Sequence, residues 1–197
     1  MNLSYLGDAL DHWKGSLFEF LQTRHLLHDF AVDPMASDLR SWRDADYEIF
    51  ADLLRVPRGR IICHSFNLNS RDRYFAEIRH QGDLFLDPDT GIATGRVVRL
   101  EQYVHPRDIW SLLSSGLNRL IVVYQHVRAR KVASRIDEVL ACVAGPTELT
   151  WCSYESGTVA MLFFSLAKDR THSIAGALGK KLGRHAGRRI RHGLVGR

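Results

Sequence analysis

Two carboxylates separated by a single proline form the loop of this sequence that is best suited to chemistry. Asp87 and Asp89 flank that proline, at the end of the predicted strand 83–87. Because proline fixes its own φ and keeps the preceding residue extended, both carboxylates are held at one loop. Such a pair can bind a hard cation, accept hydrogen bonds from an amine, or supply a general acid or base when buried. The alternative is a purely structural Asx-type turn.

Two further apolar runs also end in polar residues. Asp33 follows the run 30–32, and His126 lies just beyond the run 120–124. In open α/β sheets, ligands bind beyond the carboxyl ends of the strands, so Asp33, Asp87 and His126 are expected to face one crevice. His126 could act there as a general base or a metal ligand. Each of the three could instead cap a helix or stabilise a turn.

A third group of candidates lies in the first predicted helix. Apolar residues between positions 6 and 21 recur at steps of three and four, which predicts a helix with one buried face. Asp8 and Asp11 share a face of this helix, and Lys14 lies three residues after Asp11. A surface ion pair between Lys14 and Asp11 explains that spacing without any further role.

An α/β scaffold is needed to position these residues. Predicted helices over 39–56, 105–113 and 130–143 alternate with the predicted strands, and residues 149–166 are typical of an antiparallel hairpin. The pattern predicts an α/β fold whose sheet is mostly parallel and ends in a C-terminal antiparallel hairpin.

The net charge of +5 is unevenly distributed. Residues 168–197 contain nine Lys or Arg against one Asp and so carry +8, which leaves −3 for residues 1–167. We therefore expect a domain over 1–167 and a basic C-terminal tail over 168–197. Lys and Arg bind nucleic acid phosphates, whereas the alternative is a solvated terminus. The tail contains no Phe, Tyr or Trp, so base stacking of the kind seen with single strands is not indicated. The candidate nucleic-acid-binding residues are Lys180, Lys181, Arg184, Arg188, Arg189 and Arg191.

Several function classes are disfavoured by what the sequence lacks. No apolar stretch approaches ~18 residues, so we expect no membrane partner, and the acidic N-terminal segment is not typical of a secretory leader. The three cysteines are scattered, which favours a reduced, cytoplasmic protein. Phosphate-binding Gly-rich loops and a serine nucleophile elbow are absent.

The order of the motifs resembles an uncharacterised family of bacterial and phage proteins. Its members carry a Gly-Asp-x2-Asp-x2-Lys first helix, a loop of the DPDNG type and a later Gln-His pair. The matching residues are Gly7, Asp8, Asp11, Lys14, Asp87, Pro88, Asp89, Gly91, Gln125 and His126.

More distantly, the layout is similar to the rRNA adenine-N6 methyltransferases. This resemblance implies a Rossmann-like fold with helices on both sheet faces, S-adenosylmethionine (SAM) as the cofactor and nucleic acid as the substrate. It implies that Asp33, with Asp8 and Asp11, lies at the cofactor, and that Asp87 hydrogen-bonds the target amine. Two features depart from that family. The loop after Asp33 has no glycine, and the catalytic DPP[YF] pattern reads Asp-Pro-Asp-Thr here.

Three functions therefore remain open. The first is a methyltransferase-like domain that acts on or binds nucleic acid, with Asp87, Asp89, His126 and Lys14 as catalytic residues. The second is a metal-dependent nuclease or phosphoesterase, in which Asp87, Asp89 and His126 hold Mg²⁺ or Mn²⁺ and Lys14 stabilises charge on the phosphate. The third is a catalytically inactive module that binds nucleic acid through its basic tail.

Overall fold

The computed structural model describes residues 3–36, 42–63, 71–95, 100–116, 118–127 and 131–196. The helices are α1 (Ala9–Gln22), α2 (Asp44–Leu54), α3 (Arg71–Glu77), α4 (Pro106–Ser114), α5 (Val132–Val143) and α6 (Lys168–Leu182). The strands are β1 (Ala31–Asp33), β2 (Leu84–Leu86), β3 (Gly91–Ile92), β4 (Tyr103–Val104), β5 (Leu120–His126), β6 (Leu149–Ser156), β7 (Val159–Ser165) and β8 (Ile190–Val195).

Six of the strands form one mixed sheet in the order β1-β2-β5-β7-β6-β8. The first three are parallel, and β7 lies antiparallel between β5 and β6. β8 is antiparallel to β6. The short strands β3 and β4 pair separately, in parallel. The α/β fold class, with parallel strands first and an antiparallel hairpin towards the C-terminus, is confirmed.

Helices cover both faces of this sheet. α1, α2 and α6 pack on one face, and α3, α4 and α5 pack on the other. The alternation along β5 shows why both faces need cover: Val122 and Tyr124 belong to the first core, whereas Ile121 and Val123 belong to the second. A strand buried on both faces is apolar throughout, which explains the unbroken apolar run in the sequence.

The basic C-terminal segment is built into this body rather than standing apart as an appendage. α6 buries Ile174 and Leu178 in the first core. Arg170, also on α6, forms a buried ion pair of 2.5 Å with Asp83 and donates a hydrogen bond to the Asn118 carbonyl. β8 then extends the sheet by pairing with β6 along its whole length. The expected boundary after residue 167 marks a change in net charge, but the segments on its two sides pack together.

The segment predicted as a strand over 60–66 is only partly within the described residues. Ile61 makes a single bridge to Val32 in β1, while residues 64–66 lie outside the described ranges. Among the described helices, none combines the length and the apolar character needed to cross a membrane.

Candidate functional site

The carboxyl ends of the parallel strands bring the predicted residues to one edge of the sheet. Asp33 pairs in register with Leu86, and Leu86 pairs with Val123. Asp87 and Tyr124 are therefore the next residues along their strands, at the same level. The Asp87 amide donates a hydrogen bond of 3.0 Å to the Asp33 carbonyl, which ties the first two strand ends together.

α1 contributes a lysine to the same edge. The Asp8 side chain caps this helix by accepting hydrogen bonds from the amides of Leu10 and Asp11. Lys14 is 4% exposed, and its Nζ donates to Asp11 Oδ1 at 3.0 Å and to Asp87 Oδ2 at 2.8 Å. The pair of Lys14 with Asp11 is thus buried, and the interpretation as a surface ion pair is wrong.

A close contact with α2 fixes the position of α1. A Cβ at Gly15 would lie 1.9 Å from the Leu53 carbonyl oxygen, so only glycine lets α1 approach α2 this closely. α1 is thereby pressed against its neighbour with Asp11 and Lys14 on its inner side.

Tyr124 completes what we call the Lys14 cluster, formed by Asp11, Lys14, Asp87 and Tyr124. Lys14 Nζ lies 4.5 Å from the centre of the Tyr124 ring, a favourable cation–π contact. The Tyr124 hydroxyl oxygen is 3.2 Å from Nε2 of His126, within hydrogen-bonding distance. His126 itself is only partly buried.

Burial and charge compete within the Lys14 cluster. Burial lowers the pKa of Lys14, but Asp87 and Asp11 outweigh it, and the pKa lies above its ordinary value. Burial raises the pKa of Asp87, with the Lys14 ammonium opposing that shift. Burial and, after it, the nearby Asp87 charge raise the pKa of Tyr124 above its ordinary value. The ammonium is therefore held charged between two carboxylates.

Gln125 fixes the loop that follows Asp87. Its Oε1 accepts a hydrogen bond from the Ile92 amide at 2.8 Å, and its Nε2 donates to the Thr90 carbonyl at 3.2 Å. Gly91 lies directly against this side chain with a φ of +130°. The Gln of the Gln-His motif thus has a structural task, which is to hold the loop containing Asp87 and Asp89.

Replacing Gly91 by alanine is expected to destabilise the protein by about 2–4 kcal/mol. The positive φ is strained for any L-residue, and the new Cβ would lie 2.5 Å from the Gln125 side chain. Gly95→Ala is the matched control, since Gly95 has a φ of +78° and a Cβ there would have no atom within 4 Å. Urea denaturation should show the larger loss of stability for Gly91→Ala. Equal losses would mean that contact with Gln125 does not constrain the loop.

The Asp33 carboxylate accepts hydrogen bonds from other residues of the chain. The Tyr74 hydroxyl lies 2.7 Å from each of the two carboxylate oxygens, and the Met35 amide donates to Oδ1 at 2.8 Å. Burial, followed by the Asp33 charge, raises the pKa of Tyr74, so its hydroxyl remains a donor. Tyr74 was not identified from the sequence, where the segment 71–80 has no pattern that distinguishes helix from strand.

These contacts do not fit SAM at the end of β1. The Met35 and Ala36 side chains are buried where a cofactor loop would need open backbone, and no glycine replaces them. Residues 37 and 38 of the same loop lie outside the described ranges. Asp8 and Asp11, the other predicted cofactor residues, are engaged by the α1 amides and by Lys14.

The donor set at this edge does not fit a divalent cation either. Asp87 is bound to Lys14, so a metal would have to displace an ammonium from it. Asp89 is partly exposed on the loop, and in the described ranges no three His, Cys, Asp or Glu side chains converge on one point. The structure therefore brings Lys14, Asp11 and Asp87 together, with Asp33 and His126 alongside, but not as a metal centre.

Five of the six predicted nucleic-acid-binding residues form an exposed group, which we call the basic surface. They follow one another from the end of α6, through a 3-10 turn over Gly183–Arg188, to the start of β8. None of the five forms an ion pair with a described residue. Arg191 differs, because it binds Asp137 at 2.5 Å and lies against Trp151. The basic surface consists of Lys180, Lys181, Arg184, Arg188 and Arg189.

No known protein-family model matches the chain, and a comparison with curated proteins also returns no match.

Proposed function

We propose that this chain is a catalytically silent, methyltransferase-like domain that binds nucleic acid through the basic surface. The observation that carries the proposal is the group of five exposed cations, none of which forms an ion pair with a described residue. Phosphates of nucleic acid are the complementary ligand, and binding would be strongly dependent on salt. The parallel strands that end at Asp33 and Asp87, followed by an antiparallel hairpin, have the layout that the methyltransferase resemblance implies.

The domain is proposed to be catalytically silent because the carboxylate of its predicted catalytic loop is already engaged. In a methyltransferase of this type, the first Asp of the catalytic loop would accept a hydrogen bond from the target amine. Here the corresponding carboxylate, Asp87, already accepts one from the Lys14 ammonium at 2.8 Å. A neutral amine would have to compete with a buried charge-assisted bond, which is about twice as strong as a neutral one.

The binding test compares two variants with the same net charge. Replacing Lys180, Lys181, Arg184 and Arg188 with Gln is expected to weaken binding to labelled RNA or DNA at least ten-fold. It should also reduce the slope of log K against log salt by about 0.7–0.9 for each phosphate that the variant no longer neutralises. The control variant replaces four exposed arginines elsewhere, Arg55, Arg73, Arg79 and Arg107, and should bind nearly as the wild type does.

Fluorescence anisotropy over a series of salt concentrations measures both quantities. Equal weakening in the two variants would assign binding to overall charge and contradict the proposal. Calorimetry with millimolar SAM tests whether the domain is catalytically silent, and no heat of binding is expected. Binding of SAM that is abolished by Asp33→Asn would contradict the proposed loss of catalysis.

A further inference from the structure

The basic surface lacks aromatic residues of its own, but α1 supplies them from a distant part of the sequence. Trp13 and Phe20 are seven residues apart, so they lie on the same face of α1, about 10 Å from each other along the helix axis. Both side chains are partly exposed. This separation corresponds to roughly three base steps at ~3.4 Å each.

The Trp13 end of this face lies against the sheet, next to the strand that follows the basic surface. The Trp13 ring stacks on Tyr154 with 5.5 Å between centroids and 29° between planes. Tyr154 pairs in register with Ile190, the residue that directly follows Arg189. Because side chains alternate across a sheet, Ile190 lies on the same face as this aromatic pair, whereas the Arg189 side chain points towards the opposite face.

The Phe20 end is flanked by two cations. The Arg24 guanidinium carbon lies 4.7 Å from the centre of the Phe20 ring, and Lys181 Nζ lies 6.0 Å from it. Lys181 belongs to the basic surface, so that surface meets α1 at the Phe20 end of the aromatic face. A strand whose phosphates lie at these cations could therefore stack its bases on Phe20 and, further along the same helix face, on Trp13 and Tyr154.

We infer that Trp13, Tyr154 and Phe20, together with the basic surface, form a track for single-stranded nucleic acid. Proteins that bind single strands combine a cationic path for the phosphates with aromatic rings on which the bases stack. A duplex hides its base faces and could use only the cations. This inference rests on the proposed nucleic acid binding and adds to it the preference for an unpaired strand.

The test measures anisotropy of a labelled 20-nucleotide single strand and of the matching duplex, as both RNA and DNA. The wild type is expected to bind the single strand about ten-fold more tightly. The double variant Trp13→Leu/Phe20→Leu should bind the single strand about ten-fold more weakly than the wild type. Its affinity for the duplex should change little, and the slope of log K against log salt should stay the same. Tyr103→Leu is the control, because Tyr103 is a partly exposed aromatic residue beside Arg71, on the other side of the sheet.

Tryptophan fluorescence provides a second readout in a variant that keeps an aromatic ring. Single strands should quench the wild type, Trp13→Phe should lose that quenching but keep most of the affinity, and Trp110→Phe should behave as the wild type. Equal affinity for single strand and duplex, or quenching that Trp13→Phe leaves unchanged, would overturn the track while leaving the proposed function standing. Failure to bind any of the polymers at about 50 mM salt would overturn the proposed function itself.

Discussion

Deletion of residues 168–197 is expected to unfold the protein rather than merely to remove a binding segment. Without Arg170, the Asp83 carboxylate, which is 1% exposed in the intact protein, loses its ion-pair partner, and breaking a buried pair costs about 3–5 kcal/mol. Loss of Ile174 and Leu178 from the core removes about 2 kcal/mol each. The sum is comparable to the whole stability of an ordinary domain, about 5–15 kcal/mol. The edge of β6 would also lose its partner strand.

Circular dichroism during heating measures this effect, and the truncated chain should show no cooperative transition. The variant with Lys180, Lys181, Arg184 and Arg188 replaced by Gln is the control, since it changes only exposed side chains of the same segment. It should melt as the wild type does. A truncated chain that melts cooperatively near the wild-type temperature would contradict the role of α6 and β8 in the body. Binding studies should accordingly use charge substitutions rather than truncation.

Replacing Lys14 by methionine is expected to reduce the free energy of unfolding by about 3–5 kcal/mol. Methionine fills a similar volume, but it leaves Asp11 and Asp87 buried with no cation between them. The loss of unfolding free energy should be smaller in Lys14→Met/Asp87→Asn, because one of the two buried, unpaired carboxylates is replaced by a neutral amide. Denaturation in urea at neutral pH measures all three proteins.

An exposed ion pair provides the comparison for Lys14. Arg73 and Glu77 are joined at 2.6 Å on the surface of α3, and Arg73→Met should leave stability nearly unchanged, because water screens exposed charges. If Lys14→Met costs no more than Arg73→Met, the Lys14 cluster does not hold its charges in a desolvated environment. The raised pKa of Asp87, which burial causes, would then lack its physical cause.

The sequence was sufficient to predict the α/β class and the strand ends that carry Asp33, Asp87 and His126. Both depend on local patterns, namely apolar runs of strand length followed at once by polar residues. The sequence did not reveal which groups these carboxylates would contact. Lys14 and Asp87 are 73 residues apart, and Tyr74 reaches Asp33 across 41 residues. Partners at such separations depend on how the helices dock, which no local spacing encodes.

The tertiary packing of the basic segment 168–197 is likewise not encoded by its local pattern. Its charge indicates an exposed surface, but charge alone does not reveal its packing. Ile174 and Leu178 are spaced four residues apart, which is typical of an apolar stripe on a helix. That stripe alone does not show that α6 covers the sheet. It also does not show that an aromatic ring of α1, Phe20, lies near Lys181.

The pairing of Asp83 with Arg170 also determines when this protein can fold during its synthesis. The two residues are 87 positions apart, and β8 cannot join the sheet until residue 195 has been made. A nascent chain that has exposed β2 and β5 still lacks the cation for Asp83 and the helix for one end of the first core. Ribosomes add about 5–20 residues per second, so this incomplete intermediate persists for seconds. Its open strand edges and apolar face are the surfaces that a chaperone would have to protect.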